Sequence, residues 1–200
     1  YKFYVGEGGM RVPLIISGPL VTGKGRISTA FSFATDIAAT ILSYAGVEPP
    51  QGRYAGRPVE PMTGRDLSPL LSGEAERVYG DGDAVGYELA GNSALFQGDY
   101  KLVRNRGPVG DNQWRLYDIV SDPGETADLR ETMPERFASM QRRYQAFAEE
   151  HGVLPVADGY NYQRQVVLNG LHDRGGPQLL TLLITALVLL PFFLYSRLRR

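Results

Sequence analysis

The stretch from Leu179 to Tyr195, LLTLLITALVLLPFFLY, runs 17 residues without a charge and constrains the chain more than any other feature. As a helix at about 1.5 Å per residue it reaches about 26 Å, near the lower bound for crossing hydrocarbon. Thr181 and Thr185 can hydrogen-bond back to helix carbonyls, Pro191 falls in the last turns, and Tyr195 stands where an interface would be. A core helix carries one apolar stripe, whereas this stretch is apolar on every face. A transmembrane helix over 179–195 is therefore expected. Arg197, Arg199 and Arg200 follow it in the tail 196–200, while only Arg174 closely precedes it. The positive-inside rule then expects a single-pass membrane protein with a cytoplasmic C-terminus and a periplasmic or exoplasmic domain before the helix. Terminal Arg and the lack of a polar spacer fit a glycolipid-anchor signal poorly.

The other end opens Tyr1-Lys2-Phe3, with neither an initiator Met nor a signal peptide, so a carboxyl-terminal piece of a larger protein is expected. With 43% hydrophobic and 22% charged residues the chain can build a core, and disorder is not expected. Lys and Arg number 21 against 22 Asp and Glu, and three of the Arg lie beyond the apolar run. The remainder is acidic, which argues against nucleic acid as a partner. The chain has no Cys, which excludes disulfides, thiolate metal sites and a cysteine nucleophile from these residues.

Val12 to Ser17 (VPLIIS) is a continuous apolar run of the kind found in strands buried on both faces of an α/β sheet. Thr35 or Asp36 can then cap a helix whose Ile37, Ile41, Tyr44 and Ala45 form one stripe and which Gly46 stops. Residues 1–48 thus read as the end of an α/β domain, and the Pro- and Gly-rich 49–78 as a connector with a short helix at Leu67 to Leu71. Short β-like runs follow at Val85 to Leu89, Ala94 to Gln97, Tyr100 to Arg104 and Arg115 to Ile119, separated by Gly, Asn and Asp turns. A helix opened by Pro134 spaces Phe137, Met140, Tyr144 and Phe147 at three and four residues. Together they predict a small antiparallel sheet covered by a helix over 79–152. Residues 153–178 show no periodicity and read as an extended juxtamembrane arm.

The opening YKFYVGEGGMRVP, with Glu-Gly-Gly-x-Arg-x-Pro at a fixed offset from a lysine, resembles a signature of the sulfatases, the formylglycine-dependent sulfuric ester hydrolases. Four later segments match that family in order. Asp36 to Gly46 with Val47 and Pro49 is similar to one, with Ala39 where Pro is usual. The others are Gly64 to Gly73 (GRDLSPLLSG), Gly98 to Leu102 (GDYKL), and Leu116 to Ile119 with Asp122 to Glu125 (DPGE). The match runs over about 1–150 and is nearest to bacterial arylsulfatases of the alkaline-phosphatase-like superfamily. The resemblance implies an α/β fold whose C-terminal edge lies here, followed by the small sheet and helix subdomain. It also implies a formylglycine nucleophile and a divalent cation, usually Ca2+, in the intact protein, with neither held by these residues. Ser17-Gly18-Pro19-Leu20-Val21 imitates the first half of a serine-type modification motif but ends in Val, so Ser17 is rejected as the nucleophile.

Lys2 is the one catalytic position the resemblance carries over, because the family's sulfate-contacting lysine stands five residues before the Glu of Glu-Gly-Gly, as Lys2 does before Glu7. A fixed ammonium would stabilise the negative charge that builds on the bridging oxygen as an S–O bond breaks. A nearby cation would lower its pKa and favour proton donation to the leaving oxygen. Glu7, Gly8 and Gly9 read instead as a structural turn, Gly-Gly permitting backbone angles closed to other residues. Asp81-Gly82-Asp83 reads as a solvated turn, since two acids around a Gly lack the oxygens a calcium ion needs. His151 reads as a helix C-terminal cap, and Asp122 to Glu125 as a β-turn. His172 has no assigned role. The expected activity is hydrolysis of a sulfated small molecule by the intact, membrane-anchored protein, with these 200 residues inactive alone. Two alternatives stand beside it: a phosphate or phosphonate ester hydrolase of the same superfamily, or a non-catalytic, membrane-anchored binding protein.

Overall fold

A computed structural model describes residues 3–23, 25–157, 159–173 and 175–198, and no side chain at 176, 177, 192–194 or 196–198. The chain forms two compact units, Tyr1–Val153 and Leu154–Arg200.

The first unit begins with one helical turn, α1 (Glu7–Met10), and a longer helix, α2 (Ala34–Tyr44). A two-residue hairpin, β1 (Arg53–Tyr54) with β2 (Arg57–Pro58), and a short helix, α3 (Ser68–Ser72), occupy the connector. The strands β3 (Val85–Leu89), β4 (Asn92–Gln97), β5 (Tyr100–Arg104) and β6 (Arg115–Asp118) form an antiparallel sheet in that order. Helix α4 (Pro134–Glu150) follows.

Alternation along the strands gives the sheet two buried faces. Leu95, Leu102 and Leu116 point to one face, where Met140 and Tyr144 of α4 close over them with Phe137 and Phe147 alongside. This is the sheet and helix that the periodicities predict, and the strand boundaries agree to within two residues. Ala94, Phe96, Val103 and Tyr117 point the other way and pack with Val5, Ile119 and the half-buried Met10 and Phe31. The second face is thus covered by the irregular chain that begins the unit, not by a second layer of regular structure.

Over residues 1–48, expected to close an α/β domain, the regular structure is α1 and α2. Val12 to Ser17 makes no strand, and Val12 and Ile15 are 74% and 91% exposed. A strand forms only where a neighbour supplies ladder partners, and among the described residues none lies beside this run. Helix α2 forms, but Ile37, Ile41 and Tyr44 stay exposed while Asp36 and Thr40 are buried. Its buried side is tied down by polar bonds. Asp36 accepts from the backbone N–H of Phe33 (2.6 Å) and Arg65 (2.8 Å) and from the Tyr79 hydroxyl (2.6 Å). The Thr40 hydroxyl accepts from Leu67 N–H at 2.9 Å. Gly64 passes so close to the Thr35 carbonyl that a Cβ there would collide with it.

In the second unit the arm expected to be extended contains helix α5 (Tyr162–Asp173). Asn161 accepts the Arg164 N–H at 3.0 Å through its side chain and caps the helix start. Only Tyr162 of the helix is buried, so the amphipathic stripe that would have announced it is missing. Helix α6 (Gly176–Leu198) overruns the expected 179–195 at both ends, and Thr185 donates to the Thr181 carbonyl at 2.8 Å. The reading of 179–195 as a single span is not supported on this geometry: among the described residues no one helix is long and apolar enough to cross a membrane. Tyr162–Asp173 and Gln178–Pro191 meet that condition only as a pair bent by 68°.

Candidate active-site segment

Lys2 lies outside the described residues, and the site is built from the segment that follows it. Phe3 takes a positive φ of 76°, unusual for a residue with a side chain, and its carbonyl accepts from Asn92 Nδ2 at 2.5 Å. Two residues on, Val5 is fully buried in the sheet's second face and donates its N–H to Asn105 Oδ1 at 3.0 Å. Asn92 starts β4 and Asn105 follows β5, so both tethers sit at one end of the sheet.

The turn α1 then delivers Glu7 to a buried ion-paired cluster. Lys101 of β5 is fully buried, flanked across the sheet by Phe96 and Tyr117. Its ammonium donates to Glu7 Oε1 at 2.9 Å, sits 2.8 Å from Glu125 Oε1 and lies 5.1 Å from the centroid of the Phe96 ring. Glu125 returns to the same segment through its other oxygen, accepting the Glu7 N–H at 2.9 Å. Arg11 approaches Glu7 Oε2 at 3.9 Å, so two carboxylates meet two cations. The Lys101–Glu125 contact is an ion pair by distance without hydrogen-bond alignment.

The turn expected at Glu7, Gly8 and Gly9 is the helical turn α1, and Glu7 is held by these contacts. Gly8 and Gly9 lie in α1 without positive φ. Close approach matters at Gly6, where a Cβ would stand 3.0 Å from Glu125 Oε2. The left-handed residue is Glu125 itself, φ 54°, in the turn that Glu125 N–H closes onto the Asp122 carbonyl at 3.1 Å. Asp122 organises that turn, accepting from the N–H of Ala127 and Thr126 at 2.8 and 2.7 Å. These bonds, the one from Ala127 foremost, hold its carboxyl below the usual range. A cleft of about 560 Å3 opens beside the clamp and is lined by Asn105, Arg115, Tyr117 and Glu125 among others.

The remaining sequence candidates fall elsewhere. Asp81 pairs with Arg77 at 2.9 Å and Asp83 with both terminal nitrogens of Arg65 at 2.6 Å, so the Asp81-Gly82-Asp83 turn is an ion-paired one. His151 caps α4, its Nδ1 3.0 Å from the Phe147 carbonyl. His172 lies in the last turn of α5. Gly18, in the rejected Ser17 motif, forms a turn with Val21 at 3.2 Å. Lys101, Glu125, Asn92 and Asn105, which hold this segment, were not among the residues expected to meet it. The only signal was that Lys101 and Glu125 both stand inside family-like segments.

The family described as N-sulphoglucosamine sulphohydrolase, C-terminal, matches residues 1–148. The chain belongs to this sulfatase family. Among its relatives, an uncharacterised sulfatase of Schizosaccharomyces pombe is 31% identical over 160 residues, 80% of this chain and 28% of that one. Arylsulfatase K of Xenopus laevis is 27% identical over 177 residues, 82% of this chain and 31% of that protein. This sulfatase chain thus spans under a third of both relatives. A solved structure described as a complex with its substrate D-glucosamine-2-N,6-O-disulfate is 22% identical with a TM-score of 0.49, covering 67% of this chain and 27% of that one.

Sulfatases generally use formylglycine and a divalent metal, and the described residues do not fit the metal. No three His, Asp or Glu side chains among them come together to hold an ion, and with no Cys in the chain a formylglycine could arise here only from a serine. Glu7 and Glu125, which do meet, are already paired with Lys101.

Proposed function

We propose that the chain is the C-terminal part of a sulfuric ester hydrolase, in which Lys2 acts at the leaving oxygen and the nucleophile and a divalent cation come from residues outside these 200. The observation that carries this is the clamp on the segment after Lys2. Phe3, Val5 and Glu7 are each fixed by a side chain of the sheet unit. Hydrolysis of a sulfate monoester puts water across the S–O bond and leaves an alcohol or phenol and a sulfate ion. Charge grows on the bridging oxygen as that bond breaks, and an ammonium held in place stabilises it without reorganising. The substrate is taken to be a sulfated small molecule because the relatives are sulfatases. Turnover of 4-nitrocatechol sulfate by the full-length protein and by residues 1–200 alone, beside 4-nitrophenyl phosphate, checks this reading. Activity in the full-length protein with preference for the sulfate is expected. Activity in the 200 residues alone, or preference for the phosphate, would overturn it, and an inactive full-length protein would favour a binding role.

The same proposal places the catalytic part outside the cytoplasm, anchored by the apolar stretch 179–195 with Arg197, Arg199 and Arg200 on the cytoplasmic side. The absence of charge along the stretch and the arginine asymmetry support it. The full-length protein should resist carbonate extraction from membranes, and a variant ended before Gly175 should not. If the shortened protein stayed with the membrane, the anchor would lie elsewhere.

A further inference from the structure

The Glu7–Lys101–Glu125 cluster is larger than a structural tie requires. Three charged side chains lie at the sheet's second face, with Lys101 fully buried and the side chains of Glu7 and Glu125 only 7% and 14% exposed. Taking such charges out of water costs several kcal/mol per ion by common estimates, and apolar residues of similar volume often hold a fold as well or better. Val5, fully buried in the same segment, already supplies apolar attachment. An apolar contact fixes that a segment binds but not in which register. The charges fix the register. Lys101 pairs with both Glu7 and Glu125, and Glu125 also accepts the Glu7 N–H, so the residue at position 7 is met by two side chains of the sheet unit.

What this register controls lies upstream. Phe3, bonded directly to Lys2, sits at φ 76°, a conformation unfavourable for a residue with a side chain that persists only where its surroundings hold it. Asn92 holds the Phe3 carbonyl, and the Asn105 and Glu125 tethers downstream keep the chain from relaxing by slipping. We infer that Lys101 and Glu125 are positioning residues for the sulfatase reaction: through Glu7 they set the register of the segment that carries Lys2, and so the placement of its ammonium at the leaving oxygen. This rests on the function proposed above. Neither residue need touch substrate.

The test uses the full-length protein and 4-nitrocatechol sulfate. Glu125→Gln keeps the shape and removes the charge, and it is expected to lower kcat about tenfold while KM moves less than twofold and the melting temperature little. Lys101→Met is expected to lower kcat further, with activity expressed per folded molecule so that misfolding is not counted as lost catalysis. The deciding readout is coupling. If Glu125 acts through Lys2, then Glu125→Gln should cost almost nothing in a Lys2→Ala background, or in Lys2→Arg should the first fall below detection. Glu125→Asp should restore part of the loss. Full additivity with Lys2→Ala, or wild-type kcat in both Glu125→Gln and Lys101→Met, would overturn the inference. An inactive wild-type protein would instead overturn the function on which it rests.

Discussion

Gly86 offers the sharpest check on how α4 lies against the sheet. In β3 it stands opposite Leu95, on the face that α4 covers, and a Cβ added there would enter the ring of Phe147. The backbone at Gly86 is not in the left-handed region, so Ala is conformationally acceptable and should gain about 0.4–1 kcal/mol by restricting the unfolded chain. Against that stands overpacking, typically about 1–3 kcal/mol when a methyl is forced into a filled core. The clash wins, and Gly86→Ala should lose about 1.5 kcal/mol, or about 3–6 °C in melting temperature for a unit of this size. Phe147→Ala alone should cost about 2 kcal/mol, less than for a fully buried ring because Phe147 is half-buried. Together the two changes should cost less than their sum by about 1 kcal/mol, since the new methyl finds the space the ring has left. Thermal and urea unfolding of the four proteins gives all the terms. Additive losses, or a Gly86→Ala protein as stable as wild type, would mean that Phe147 does not sit over Gly86.

Asp36→Ala should cost about 3 kcal/mol in urea unfolding, because three donors lose a buried carboxylate that each has as its acceptor. Burial, then the bond to Asp36, raises the Tyr79 pKa well above its usual 10.0, so its contribution is whole below pH 10 and is lost as pH rises beyond it. Tyr79→Phe should therefore flatten the alkaline limb of a stability profile above pH 10. Arg65 foremost lowers the Asp83 carboxyl from 3.8 to about 2, so this pair stabilises the fold above pH 3.8 and the gain fades as pH falls through about 2. With Asp83 and Arg65 side chains 33% and 41% exposed, solvent screening limits the contribution to about 1 kcal/mol. Asp83→Asn should show that deficit at pH 6 and only a small part of it near pH 2.

The sheet and α4 were legible because each residue's fate follows from its neighbours in sequence. Leu95, Leu102 and Leu116 alternate with the opposite face, and Phe137, Met140, Tyr144 and Phe147 recur at helical spacing. Lys101 defeats such reasoning. A lysine on a strand reads as an outward residue, and only the arrival of Glu7, 94 positions earlier, and Glu125 in a separate turn makes its burial tolerable. The α2 stripe misled for the converse reason. Ile37 and Ile41 announce a buried face, yet the residues 64–67 meet the helix through Asp36 and Thr40. Helix α5 escaped notice because a helix burying one residue has no periodicity to read.

Both polar clusters answer one physical problem. Chain that crosses the face of a sheet or the flank of a helix cannot use the ladder, whose donors and acceptors point along the plane of the sheet or the axis of the helix. Its N–H groups must find side-chain acceptors or water. Asp36 serves the Phe33 and Arg65 N–H groups, Asn105 serves Val5, and Glu125 serves Glu7. The two clusters differ in how the carboxylate is balanced. The hydrogen-bond donors that meet Asp36 are neutral, two backbone N–H groups and the Tyr79 hydroxyl. Glu125 shares a buried ammonium with a second carboxylate, which couples three chain segments into one arrangement. Hydrogen bonds alone can be remade by water after a small shift, whereas separating a buried ion pair leaves uncompensated charge and costs about 3–5 kcal/mol. The segment next to Lys2 is thus held by an ion-paired contact that tolerates displacement less than hydrogen bonds alone would, as the role proposed for Lys2 would require.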